Sequence, residues 1–188
     1  MDIAVQVESF EAAMSDELRL IEQARRDPAA LGQLYRLHFP AIYAYVARRV
    51  GDKNDADDLT AEVFLAMVRS MWHFRWQGAP FRAWLYRIAT NHVNRWASKK
   101  RRHVTRQLDE AQNASTATDP EACMDDRELL HLALISLPSQ FQAALSLYYL
   151  EEMSVQEVGV VLGCSSGTVK SRLSRGREML RKYFECRG

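Results

Sequence analysis

The stretch from Ser154 to Leu180, SVQEVGVVLGCSSGTVKSRLSRGREML, decides the fold. Val155, Val158, Val161 and Leu162 fall at helical spacing, with Ser154 placed to cap that helix and Glu157 three residues on to complete a capping box. Gly163-Cys164-Ser165 interrupts the pattern. Beyond it, Val169, Leu173, Gly176 and Leu180 recur in steps of three and four and so share one face of a second helix. Thr168, Ser171, Ser174 and Arg175 point away from that stripe, with Lys170 and Arg172 on its flanks. Two short helices around a tight glycine-containing turn, the second polar and cationic outside, predict a helix-turn-helix whose second helix suits a major groove. The same pattern also describes an ordinary amphipathic pair with a solvated basic side.

Working outward, every periodic segment reads as helix. Ser15 caps residues 16–26, where Leu18, Ile21 and Ala24 share a face. Asp27-Pro28 opens a helix carrying Leu31, Leu34, Phe39, Ile42, Val46 and Val50, with a kink or break expected at Pro40. Leu59, Val63, Phe64 and Met67 mark the next helix. Trp84, Leu85, Ile88, Ala89, Val93 and Trp96 mark another, with Asn91 and Asn94 predicting a break before its basic end, because asparagine favours turns and caps. Residues 104–120 are polar and aperiodic, as in a flexible linker. Helical pattern resumes near Glu121. The expected fold is all-α: a loose extension (1–15), a helical bundle (16–103), the linker (104–120) and a second helical domain (121–188) holding the helix-turn-helix.

The net charge of the 188 residues is only +1, but its distribution is uneven. Arg95, Lys99, Lys100, Arg101, Arg102 and Arg106 form a block without an acid, and Lys170 to Arg187 is a second basic block. An acidic run from Asp109 to Glu128 separates them. Two basic surfaces point to two nucleic-acid contacts. Cys123, Cys164 and Cys186 are far apart in sequence and lack metal-ligand spacing, so neither a disulfide framework nor a metal centre is expected, and a reducing cytoplasm fits. No apolar run is long enough to span a membrane. The five histidines are scattered, with His38 and His73 read as partly buried structural positions. Without a phosphate-cradling glycine loop or a nucleophile–base pair, neither catalysis nor a cofactor is expected.

Two constellations remain. Asp55, Asp58 and Glu62 share a face in the first turns of their helix, where acids complement the positive helix end; a docking face for a basic partner is the alternative. The run from Phe81 to Arg102 interleaves aromatics with cations, a composition that can stack on unpaired bases and hold phosphates.

These segments, namely Asp55-Ala56-Asp57-Asp58-Leu59-Thr60-Ala61-Glu62-Val63-Phe64, Trp84 to Asn91, Leu137-Pro138 and Leu162 to Leu173, occur in an order that resembles the extracytoplasmic-function group of bacterial sigma factors. The resemblance implies a protein that binds core RNA polymerase and directs it to promoter DNA. It implies −10 contacts from Asn91, Asn94, Arg95, Lys99, Lys100 and Arg101, and −35 contacts from Ser165, Ser166, Thr168, Lys170, Ser171, Arg172 and Arg175. Polymerase docking would fall to Asp55, Asp58, Leu59 and Glu62. A cognate anti-sigma factor is common in the group. Asn94 stands where many members carry Asp, and Phe141-Gln142 where many carry Arg.

Overall fold

The computed structural model describes residues 16–75, 80–110 and 126–185, with 103–110 and 126–127 described by their backbone alone. Every regular element among them is helical. The first unit comprises α1 (residues 16–24), α2 (Pro28–Val50), α3 (Lys53–Ser70) with a 3₁₀ turn at Met71–His73, and α4 (Phe81–Glu110). Asp27 caps α2 by accepting from the Ala29 N–H, with Pro28 at the first helical position, where its missing donor costs nothing. Gly51 closes α2 in the left-handed region, at φ 76°. Ile21, Leu34, Ile42, Tyr45, Val46, Val63, Met67, Phe81, Leu85 and Val93 are almost wholly buried and weld the four helices together.

Several expectations give way here. Of the kink or break expected at Pro40, the break is absent, and α2 runs unbroken through it. Pro40 and Arg36 are exposed, so the carbonyl that loses its partner can bond water instead. Asn91 and Asn94 do not break α4 either. Ala89, Thr90 and Val93 are buried on either side of them, and such packing outweighs an asparagine propensity penalty of about 0.7 kcal/mol or less. The same helix continues to Glu110, so the segment read as linker from residue 104 begins as helix; the rest of that segment, 111–120, lies outside the described residues. His73 is exposed, whereas His38 is partly buried with its Nε2 3.2 Å from Glu17 Oε1.

The second unit comprises α5 (Asp126–Ser136), α6 (Ser139–Leu145) continuing into a wide π turn at Ser146–Leu150, α7 (Val155–Leu162) and α8 (Ser166–Glu185). Leu145, Leu147, Met153, Val158, Val161, Val169 and Leu173 form its core. Gly176 lets α8 lie against α6: a Cβ there would fall 2.9 Å from Leu145 Cδ1. The two units also pack on each other, α4 against α7 and α2 against α5, which two domains joined by a flexible linker did not lead one to expect.

Candidate nucleic-acid interface

The helix-turn-helix forms as its sequence dictates. Ser154 accepts from the Glu157 N–H while Glu157 accepts from the Ser154 N–H, closing the capping box. Gly163 ends α7 at φ 62°, a conformation costly for residues with a Cβ. The Ser165 hydroxyl then accepts from the Thr168 N–H at 3.3 Å and lies 3.0 Å from Thr168 Oγ1, so it caps α8. Val169, Leu173 and Gly176 face inward. Ser165, Ser166, Thr168, Lys170, Ser171 and Arg175 are exposed, and Ser165, Thr168, Ser171, Arg172 and Arg175 border one groove of about 520 Å³. Arg172 is half-buried, with Nη1 3.6 Å from Cys164 Sγ. The α8 face thus offers hydroxyls and guanidinium groups in the first turns of the helix, where base edges are read in this motif.

On α4 the cations Arg95, Lys99, Lys100 and Arg101 are all exposed. Lys100 is also tethered, with Nζ 3.2 Å from Asp55 Oδ2 and 4.6 Å from the Trp96 ring centroid, while Trp96 Nε1 donates to Asp55 Oδ1 at 3.1 Å. Asn91 is exposed. Asn94 is not: its Oδ1 accepts from Arg49 Nη2 at 3.0 Å and from Ser139 Oγ at 2.6 Å. Arg49 is only 3% exposed. It also donates to Tyr45 Oη at 2.9 Å and Ser139 Oγ at 2.8 Å, and its Nε donates to Gln142 Oε1 at 3.4 Å. Gln142 therefore faces the first unit. Asn91, Asn94 and Arg101 share a cleft of about 340 Å³ with Ser139 and Arg172 of the second unit.

A second, more acidic group joins the units. Glu151, whose side chain is 7% exposed, accepts from Arg48 and from the Tyr86 hydroxyl. Burial, and then this bond, push the Tyr86 phenol well above its ordinary pKa, so it remains a donor. Arg82 donates through Nη2 to Glu157 Oε1 at 2.8 Å. Burial tends to raise the Glu157 carboxyl, but bonds from Arg82 and Ser154 outweigh it and hold the group below its ordinary value.

The acidic helix α3 divides its carboxylates. Asp55 serves as an anchor to α4, and Leu59, 6% exposed, belongs to the core rather than to an outward face. Asp58 and Glu62 are exposed, with Glu62 Oε2 3.1 Å from His92 Nδ1. Steps of three and four continue this face to Leu65 and, past the helix end, to Trp72, which are 56% and 55% exposed. Sequence reasoning passed over both; the signal was their spacing from the acids.

Comparison with known proteins adds the following. Residues 34–103 match the family described as Sigma-70 region 2, and residues 127–180 the family described as Sigma-70, region 4. The chain is 38% identical over 169 residues to the ECF RNA polymerase sigma factor SigE of Mycolicibacterium smegmatis, covering 86% of this chain and 65% of that protein. It thus spans slightly less than two thirds of that relative's length. It resembles the sigma factor RpoE solved with the anti-sigma factor NepR from Bartonella quintana (TM-score 0.66, 26% identity, 82% of this chain and 96% of that one). It is equally similar to CnrH solved with the cytosolic domain of CnrY (TM-score 0.66, 27% identity, 90% and 97%).

Proposed function

The chain belongs to the sigma-70 family, in its extracytoplasmic-function group, and from that premise we propose that it binds core RNA polymerase and directs it to promoters by contacting their −10 and −35 elements. The observation that carries this reading is the presence, in one chain, of two exposed cationic helices from separate units, α4 and α8. A dimeric helix-turn-helix protein reaches its second half-site through its partner; here the first unit supplies the second contact.

In this reading Thr168, Lys170, Ser171, Arg172 and Arg175 meet base edges and phosphates of the −35 duplex, and Ser165 and Ser166 lie at the helix start beside the backbone. Arg95, Lys99, Lys100 and Arg101 follow the −10 backbone, where counterion release gives salt-dependent affinity without sequence information. Asn91, and Asn94 once released from Arg49, lie where an extruded base would be held; extrusion costs a few kcal/mol, offset by contacts in the pocket. Asp58, Glu62 and Leu65 present the face offered to polymerase, an acidic edge running into an apolar one. An anti-sigma factor, as in the complex of the Bartonella protein, would act by covering these surfaces.

The test is reconstitution. Purified chain, core polymerase and genomic DNA should yield transcripts starting at a shared pair of sequence elements, and the chain should co-elute with core enzyme. Sequence-specific DNA binding without co-elution would favour a stand-alone repressor or activator instead.

A further inference from the structure

The groove of about 520 Å³ beside α8 is a notch between two helices. Gln140 and Phe141 of α6 line it together with Ser165, Arg172 and Arg175. Gly176 lets α6 and α8 meet there, since a Cβ at that position would fall 3.5 Å from Phe141 Cβ. The lining includes two guanidinium groups and no carboxylate, and neither Arg172 nor Arg175 has an acidic partner among the described residues. Gln140 is exposed, and its amide is likewise without a partner among the described residues. Uncompensated positive charge beside an idle amide suits an anion that accepts several hydrogen bonds.

Helix geometry says which anion. Successive residues are turned by about 100°, so Thr168, Ser171 and Arg175 share the outward face of α8, whereas Arg172 lies on the flank towards the notch. With its side chains a helix is about 10–12 Å across, and the major groove is about 12 Å wide. An inserted helix therefore fills the major groove. Its outward face meets base edges, and its flanks meet the sugar–phosphate walls. We infer that the notch holds one backbone phosphate of the −35 duplex between two helices, and that Gln140 of α6 is a DNA-contacting residue. Arg172 is then a phosphate contact and not a base reader. Both statements rest on the reading that α8 enters duplex DNA.

The local chemistry fits this division. Cys164 Sγ, 3.6 Å from Arg172 Nη1, holds one corner of the guanidinium, and the other N–H groups remain for phosphate oxygens. The Gln140 amide offers its own N–H groups from the second helix. Ala143, Ala144 and Leu145 root α6 in the core, so a phosphate bound to Gln140 and Arg172 together fixes the angle at which α8 enters the major groove. Such a contact adds affinity and register but no sequence information.

The test measures binding of the full chain to a short fluorescent duplex of randomised sequence at low salt, because a phosphate contact is made in any sequence. Gln140→Ala should lower affinity by roughly threefold to tenfold, as for one lost hydrogen bond, with an unaltered salt slope. Gln140→Glu places a like charge beside the phosphate and should lower affinity further at unchanged helical content. Arg172→Lys keeps the charge and should keep the slope, whereas Arg172→Ala should flatten it by about one unit. Gln140 is exposed, so its variants carry the test even if those at half-buried Arg172 fail to fold. Duplexes enriched from the pool by Gln140→Ala and Arg172→Lys should show the base preferences of those enriched by the unsubstituted chain. No binding by the unsubstituted chain, or equal affinity in both Gln140 variants, overturns the phosphate site. A base preference altered by Arg172→Lys overturns the separation of Arg172 from the base readers. Replacing chloride by inorganic phosphate at equal ionic strength should displace no further DNA. Displacement that disappears in Arg172→Ala would give the notch to free phosphate and overturn its assignment to the duplex. Weaker binding by the variants with no sequence enriched from the pool would support the phosphate site and count against the proposed function, which requires sequence elements.

Discussion

Substituting Gly159 by alanine tests whether the aim of the reading helix is set by one close backbone crossing. Gly159 lies in α7, and the turn folds back over it so that the Cys164 N–H donates to the Gly159 carbonyl at 3.0 Å. A Cβ at Gly159 would fall 2.8 Å from the Cys164 carbonyl oxygen. That oxygen is backbone, so no rotamer change relieves the clash and the turn itself must move. Overpacking costs about 1–3 kcal/mol, with the upper half appropriate to a backbone collision. Alanine returns about 1 kcal/mol of helix propensity over glycine, leaving a net loss of about 1–2 kcal/mol. Two-state urea unfolding should report this as a lower midpoint, a five- to thirtyfold change in the folded-to-unfolded ratio. Because the turn carries α8, affinity for −35 duplex should fall as well. Gly167→Ala is the internal control: its Cβ would meet nothing nearer than Ser165 Oγ at 3.8 Å, so stability should be unchanged or rise by up to about 1 kcal/mol. An unchanged or higher midpoint for Gly159→Ala would refute the close-approach argument. Equal losses at both glycines would equally refute the assignment of the effect to this close crossing, because alanine restricts the unfolded chain and by that route can only stabilise.

Arg175→Ala should weaken duplex binding and flatten the dependence of log affinity on log salt by about one unit; an unaltered salt slope would remove Arg175 from the phosphate contacts. Asp58→Lys should abolish co-elution with core polymerase while leaving −35 duplex binding intact, and retained co-elution would rule out the acidic face of α3 as a docking surface. Glu157 is held below its ordinary value of 4.5, so its contribution to stability is fully present above that pH and is lost as pH falls through its lower folded value. Urea midpoints should therefore fall more steeply below pH 4.5 in the unsubstituted chain than in Arg82→Ala, and parallel curves would deny the pairing any role. Asn94→Ala leaves buried Arg49 short of an acceptor and should cost about 1–3 kcal/mol by denaturation, whereas exposed Asn91→Ala should be nearly silent in stability and alter preference at one −10 position in a promoter-library transcription assay. Equal stability effects at the two asparagines would contradict the distinction between them.

Much of this arrangement was legible because local rules and tertiary packing agree. Ser154-x-x-Glu157 announces a capping box that the structure closes, and the spacing of Val169, Leu173 and Gly176 predicts the face that is buried. The misreadings share a cause. Pro40, Asn91 and Asn94 are helix breakers by propensity, yet each is overruled by neighbours that propensity does not see: an exposed carbonyl beside Pro40, and buried Ala89, Thr90 and Val93 around the asparagines. The alternation of Asp55, Asp58 and Glu62 was visible, but nothing local separates Asp55, bound to Trp96 and Lys100 across the bundle, from Asp58, which faces outward. The contacts between Arg49 and Gln142 lie 93 residues apart in the chain, beyond any periodicity.

The continuity of α4 matters more than its departure from expectation. Its thirty residues make a rod of roughly 45 Å at 1.5 Å per residue. Along it, Phe81, Leu85, Ala89 and Val93 anchor the first core, while Arg82, Tyr86 and Asn94 hold the second unit. Arg95, Lys99, Lys100 and Arg101 then carry the cations. A break at Asn91 would have uncoupled these three tasks, letting the basic end pivot freely whatever the second unit did. An unbroken helix ties them together. Glu151 and Glu157 grip this rod at Tyr86 and Arg82, and its cations, already exposed, extend beyond those contacts. The second unit therefore fixes the direction of the cationic end of α4 by holding the half of the rod that lies closer to the core.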